Sequence, residues 1–160
     1  MTSPYLENQN RLSDVIAAIQ VMSVYRFYKL DFEGWADRIA GDKSKAEYWK
    51  AIFVAHPEFF RLDQSRKKVS LVWRRSYPKN YDVDKLETIS RQAFDNLAPA
   101  DKMRISRSPL SNADIQTLIC SAINLHNAAL DTKKDKDWWK PALFGLLGVV
   151  IGYVIDVLSN

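Results

Sequence analysis

The chain has 160 residues, of which 47% are hydrophobic and 26% are charged. This length predicts one main domain with an appendage, and the apolar content is sufficient for a buried core. The single cysteine, Cys120, excludes an internal disulfide and is typical of a reducing compartment.

The net charge of +4 conceals an asymmetry along the chain. Between Lys43 and Lys79, ten basic residues stand against three acidic ones, a net charge of +7, and the remainder of the chain sums to −3. Such a concentration of positive charge indicates a partner or a surface of negative charge.

In chain order, the first predicted element is a helix over residues 10–23, where apolar residues recur at helical spacing. The aromatic-rich residues 25–30 then predict a short strand. Asp31 is a good N-cap for a second helix, and Gly41 is expected to end that helix in the left-handed conformation.

A third helix is expected to begin at a capping box formed by Ser44 and Glu47. It should end near Ala55, because Pro57 disfavours helical geometry at the residue before it. Apolar and polar residues then alternate on both sides of a polar loop at residues 63–67, which predicts a hairpin with one buried face.

The order helix, short strand, helix, tight turn, helix and hairpin resembles the winged helix-turn-helix fold. The resemblance is topological and covers residues 10–76, so residues 1–78 are predicted to form a winged-helix-like domain. In that family the third helix usually enters the major groove, and the hairpin loop contacts the DNA backbone or minor groove. The binding residues that the resemblance implies here are Lys43, Lys45, Tyr48, Lys50, Arg61, Arg66, Lys67, Lys68, Arg74 and Arg75.

Base reading requires Arg, Asn or Gln on the exposed face of the third helix, and this helix contains none of them. Lysines and arginines at phosphates give affinity without sequence information, so binding to nucleic acid is expected to be loose and dominated by the backbone. Three alternatives remain open for the basic cluster: docking of a partner protein, contact with anionic lipid, or a solvated lysine-rich surface.

Residues 79–130 are predicted to form a helical extension. Its fourth helix spans residues 82–97, residues 98–110 are expected to run extended over the surface, and Ser111 caps a fifth helix that ends near residue 130. In this helix an a/d pattern predicts an oligomerising stripe, although packing on the protein's own domain is the alternative. The stripe contains Ile115, Leu118, Ala122 and Leu125.

Residues 131–137 form a predicted linker, and residues 138–158 are predicted to form a transmembrane helix. No charge stands between Pro141 and Ile155, and a tryptophan pair precedes this run. The alternative is a buried helix of a globular domain. Small residues at spacings that allow close helix approach predict a homo-oligomer, and these are Gly145, Gly148 and Gly152.

The sequence thus predicts an α+β, mostly helical, single-pass membrane protein. Because no signal peptide is recognisable, the N-terminal domain is expected in the cytoplasm, at a bacterial inner membrane. We expect a sensor or regulator that binds nucleic acid non-specifically; the alternatives are a tethered scaffold for a protein encoded nearby and an oligomerising, membrane-disrupting effector. His56, His126 and Cys120 form no catalytic or metal-binding motif, so neither an enzyme nor a cofactor is predicted.

Overall fold

The computed structural model describes residues 3–137 as an α+β structure in which helices carry most of the core. The α-helices are α1 (Arg11–Val24), α2 (Phe32–Ala40), α3 (Ala46–Ala55), α4 (Val72–Ser76), α5 (Arg91–Asp95) and α6 (Asn112–Asp137). The strands are β1 (Leu30–Asp31), β2 (Phe60–Leu62), β3 (Lys68–Leu71), β4 (Tyr81–Asp82), β5 (Glu87–Thr88) and β6 (Ile105–Ser106). Short 3-10 helices occupy Pro4–Leu6, Lys43–Lys45 and Asp101–Arg104.

The two ends of α2 follow the sequence prediction. The Asp31 carboxylate accepts a hydrogen bond of 2.7 Å from the Gly34 amide, and Gly41 ends the helix at a φ of 66°. A side chain at position 34 would crowd this cap, since its Cβ would lie 2.8 Å from the Asp31 carboxylate. Local sequence alone therefore fixes this helix.

The predicted capping box at the start of α3 is wrong. Asp42 caps the 3-10 turn instead, because its carboxylate accepts hydrogen bonds from the Ser44 amide (2.9 Å) and the Ser44 hydroxyl (2.6 Å). Glu47 turns outward and pairs with Lys50 at 3.0 Å. A competing aspartate two residues upstream thus takes the role assigned to the serine.

Strands β1, β3 and β2 form an antiparallel sheet in that order, which packs on the first three helices. The Trp35 indole is fully buried and donates a hydrogen bond of 3.0 Å to the carbonyl oxygen of Val69, which ties α2 to the central strand β3. Phe53 of α3 meets Phe60 of β2 with ring centroids 5.0 Å apart. The elements over residues 11–71 have the predicted order, and the winged-helix resemblance itself stays a prediction.

Of the helix predicted over residues 82–97, only α5 (Arg91–Asp95) forms, and the rest of the prediction is wrong. β4 pairs with β5 and with β6, which comes more than twenty residues later, in a second small antiparallel sheet. Asp82 does not cap a helix, because its carboxylate binds the amides of Asp84 (3.0 Å) and Lys85 (3.3 Å) inside the turn. Leu86 closes that turn at a φ of 57°. Pairing with a distant strand overrides the helical spacing of the local apolar residues.

Arg74 lies in α4 and is fully buried. All five guanidinium N–H groups donate to main-chain carbonyl oxygens, so every donor of the side chain is used. The acceptors are the carbonyls of Met22 (3.0 Å), Tyr25, Arg26 (3.3 Å), Arg107 (2.8 Å) and Ser108 (3.1 Å). The prediction that Arg74 contacts a partner is therefore wrong.

The Arg74 bonds join α4 to two stretches that are distant from it and from each other in the sequence, residues 22–26 and residues 107–108. They hold the C-terminal end of α1, the loop that follows it and the segment after β6 around one cation. The partial negative charge at the end of α1 favours a cation there. Burial lowers the pKa of Arg74 to about 10, so the side chain remains charged at neutral pH.

The predicted oligomerising stripe of α6 lies mostly inside the protein. Leu118 and Ala122 are buried in the core, and Ile115 packs against it, whereas Leu125 is 43% exposed. The first two side chains are thus unavailable to a second subunit. Ile115, Leu118 and Ala122 instead pack on the protein's own domain, as the alternative prediction stated.

The α+β, mostly helical character predicted from the sequence is confirmed, but the finer fold class is wrong, because it included a helix over residues 82–97 and a transmembrane helix. Within residues 3–137, no helix combines the length and the apolar character that a bilayer span requires. Even α6, with 26 residues, carries charged and polar side chains along its length. The segment predicted to span the membrane, residues 138–158 with Gly145, Gly148 and Gly152, lies outside the described residues.

We expect Arg74→Lys to lower the free energy of unfolding by more than about 3 kcal/mol, because one ammonium cannot satisfy carbonyls arranged around a planar guanidinium. The matched control is Arg75→Lys at the exposed neighbouring position, which should change it by less than about 0.5 kcal/mol. Chemical denaturation measures both. Equal effects of the two substitutions would contradict the role assigned to Arg74.

Candidate interaction surface

The loop between β2 and β3 is organised by one carboxylate. Asp63 Oδ1 accepts hydrogen bonds from the Lys67 amide (3.0 Å), the Lys68 amide (3.1 Å) and the Ser65 hydroxyl (3.0 Å). The hydrogen bond from the Lys68 amide is the main cause that holds the pKa of Asp63 below its ordinary value, and Lys29 adds to it. The loop therefore has a fixed conformation that its own sequence dictates.

The hairpin presents its basic side chains to solvent. Arg61, Arg66, Lys67 and Lys68 are all exposed, and among residues 3–137 none of the four takes part in an ion pair. Arg66 adopts a φ of 55°, which is uncommon for a residue other than glycine. The loop thus holds uncompensated positive charge in a defined position.

An open groove of about 440 Å³ lies between α3 and β2. Its apolar lining comes from Phe53, Val54, Pro57, Phe60, Leu62 and Val72. Arg61 and Arg66 line the same groove, so two of the hairpin's cations stand beside apolar surface. We call these groove residues together with Lys67 and Lys68 the hairpin face.

The predicted binding residues on α3 are less suited to a polyanion than those on the hairpin. Lys50 is half-buried and bound to Glu47, and the Tyr48 hydroxyl donates to Asp14. Lys43 and Lys45 are exposed, but they lie on the preceding 3-10 helix. The exposed positions of α3 itself are therefore acidic, aromatic or aliphatic: Glu47, Tyr48, Ala51 and Val54.

The structure brings Arg61 and Arg66 to one groove and places Lys67 and Lys68 at the loop beside it. Arg75 is exposed on α4, next to the buried Arg74. The groove itself was missed by sequence reasoning, because its walls come from α3 and β2 and only packing places them side by side. The available sequence signal was Val54, an apolar residue outside the predicted apolar face of α3, and it is exposed in the structure.

A second polar cluster, also missed from the sequence, lies under the N-terminal segment. Glu58 Oε1 accepts a hydrogen bond of 3.1 Å from the Tyr5 hydroxyl and lies 3.0 Å from His56 Nδ1. His56 is fully buried, with its ring 4.5 Å from that of Tyr5. Burial, and then the nearby Glu58, raise the pKa of the Tyr5 hydroxyl well above its usual range, so the hydroxyl stays a donor.

This second cluster holds the N-terminus to the start of the hairpin. His126 of α6 is the fourth member, with its ring 6.0 Å from Tyr5. Nothing in its geometry provides a metal site: within the part of the chain that the structure describes, no three His, Cys, Asp or Glu residues are arranged to hold an ion. We interpret the cluster as a structural clamp.

Comparisons of this chain with protein-family models, with curated proteins and with solved structures found no match. The hairpin face and its chemistry therefore carry the functional proposal.

Glu58→Gln tests the clamp. Burial would raise the pKa of Glu58, but the hydrogen bond from His56, the hydrogen bond from the Glu58 backbone amide, the charge interaction with His56 and the hydrogen bond from Tyr5 together hold the pKa below its ordinary value of 4.5. A lowered pKa means that the carboxylate stabilises the fold above pH 4.5 and loses this effect as the pH falls through the folded-state pKa. We expect the wild type to exceed Glu58→Gln in stability at neutral pH, and the difference to shrink below pH 4.5.

Unfolding by denaturant across that pH range measures the difference. The matched control is Glu47→Gln, which removes only an exposed ion pair with Lys50 and should change stability little. A wild-type advantage that grows towards acid pH would contradict the assignment.

Proposed function

We propose that this protein is a non-catalytic binding module whose hairpin face docks an acidic partner protein. The observation that carries the proposal is the groove between α3 and β2, in which two arginines stand beside apolar side chains. Interfaces between proteins combine apolar contact with arginine in this way. A partner that offers both carboxylates and apolar side chains would use the whole surface.

The charges of the hairpin support an acidic partner. Its four exposed cations have no acidic neighbour within ion-pair distance among the described residues, and the only carboxylate of the loop, Asp63, is engaged by backbone amides. Complementary charge of this kind speeds association and orients the partner. Both effects weaken as salt screens the charges.

Binding of nucleic acid is the second candidate function. It is favoured by one observation, the exposed run Arg66, Lys67 and Lys68 at the hairpin tip, which suits contact with phosphates. The exposed face of α3 opposes it, since Glu47 and Val54 provide neither positive charge nor base-reading groups. The apolar groove would also stay unused by a phosphate backbone.

Titration of the full chain with a glutamate-rich peptide containing leucine, and separately with a DNA duplex of arbitrary sequence, tests the proposal. We expect the peptide to bind, with an affinity that falls as salt rises. Lys67→Glu should abolish binding, because it places like charges together. Lys133→Glu on α6, an exposed site away from the hairpin, is the matched control and should have little effect.

Chemical shifts of the hairpin amides report where the peptide binds. The proposal is wrong if no acidic peptide binds at low salt, or if Lys133→Glu weakens binding as much as Lys67→Glu. Binding of DNA alone, lost in Lys67→Glu, would establish the second candidate in its place.

A further inference from the structure

β2 is an edge strand with one open side. In the order β1-β3-β2 it has a neighbour on one side only among residues 3–137. The Asp63 amide donates a hydrogen bond of 2.8 Å to the carbonyl oxygen of Lys68. In this register, the β2 residues whose backbone groups bond to β3 are therefore the odd-numbered ones. Because bonded and non-bonded pairs alternate in an antiparallel sheet, the Leu62 N–H and C=O point away from β3. The edge thus offers a donor and an acceptor to another strand.

The groove runs beside this edge, since Phe60 and Leu62 of β2 contribute to its lining. Val54 on the opposite wall is 47% exposed, which is high for a large apolar side chain. A volume of about 440 Å³ lies within the range of ligand pockets, which is about 300–1,000 Å³. An apolar side chain from an added strand would cover this surface.

Two arginines beside the groove favour acidic residues on either side of that apolar side chain. Arg61 belongs to the edge strand and Arg66 to the loop beyond it, and both line the groove. No carboxylate contributes to the lining. A segment lying along β2 would therefore meet positive charge close to the apolar pocket, and its glutamate or aspartate side chains would pair with it.

The backbone of Arg66 gives a further indication. Its φ of 55° would be adopted without strain by glycine, yet the position carries an arginine. Leu86, at a φ of 57°, is the comparable position in the second sheet and lies away from the groove. The Arg66 side chain thus lines the groove from a backbone conformation that favours glycine.

From these features we infer that the partner binds as an extended acidic segment, which adds to the free edge of β2 and inserts one apolar side chain between α3 and β2. The inference rests on the proposed function and specifies its binding mode. Strand addition supplies affinity through main-chain hydrogen bonds, and the pocket supplies selectivity. A nucleic acid has no equivalent of the inserted side chain.

A matched set of peptides tests the inference on the full chain. The first peptide has a central leucine flanked by glutamates, the second replaces the leucine with serine, and the third replaces the glutamates with glutamine. We expect the first to bind and each of the other two to lose at least about tenfold in affinity, because each lacks one of the two required contacts. Val54→Glu should weaken the first peptide by a similar factor.

Hydrogen exchange at single amides reports the binding mode. The Leu62 amide should become protected when the first peptide binds, whereas the Asp63 amide, already bonded to Lys68, should be protected throughout. Arg66→Gly should weaken binding while its unfolding midpoint stays unchanged or rises. Leu86→Gly, the matched control, should relieve the same backbone strain without affecting affinity.

The outcomes separate the two proposals. If the serine peptide binds as well as the leucine peptide, or the Leu62 amide stays unprotected, strand addition is overturned and an acidic docking surface remains. If no acidic peptide binds, the proposed function fails and this inference fails with it.

Discussion

The architecture depends on the burial of one cation without a counter-ion. Within the part of the chain that the structure describes, Arg74 has no carboxylate partner, and its charge is stabilised by five main-chain carbonyls. Carbonyl dipoles can take this role only if they converge on one plane, so the guanidinium fixes the relative positions of α1, the loop after it and the segment that follows β6. The Leu110 amide reinforces the same junction by donating a hydrogen bond of 3.0 Å to the carbonyl oxygen of Ser23.

Two aspartates each build a turn, one in each sheet, and they do so in the same way. Asp63 and Asp82 each accept hydrogen bonds from two backbone amides a few residues later. In each case a non-glycine residue at positive φ completes the turn, Arg66 in one and Leu86 in the other. The first turn presents cations beside an apolar groove and the second does not, so we propose that only the first serves binding.

The proposed docking surface joins features of different origin. The positive charge comes from the hairpin sequence, the apolar wall comes from α3, and the open edge comes from the sheet order. Each feature taken singly is common on protein surfaces. Their combination selects a partner, because an extended acidic segment with an apolar side chain would satisfy all of them together.

The sequence by itself determined the local elements whose signals lie within a few residues. The cap at Asp31, the stop at Gly41, the end of α3 before Pro57, the hairpin and the start of α6 at Ser111 were all predictable, because capping, turn chemistry and periodicity act over short distances. The concentration of charge around the hairpin was likewise readable from the chain.

The tertiary structure alone decided how these parts are used. Arg74 and Arg75 are indistinguishable in sequence, and only the position of α4 sends one inward and the other to solvent. Residues 82–97 carry helical spacing, yet pairing with β6 makes part of them a sheet. Leu118 and Ala122 have the pattern of an oligomer seam and fill the core instead. In each case the deciding interaction joins residues far apart in the chain, which local pattern cannot reveal.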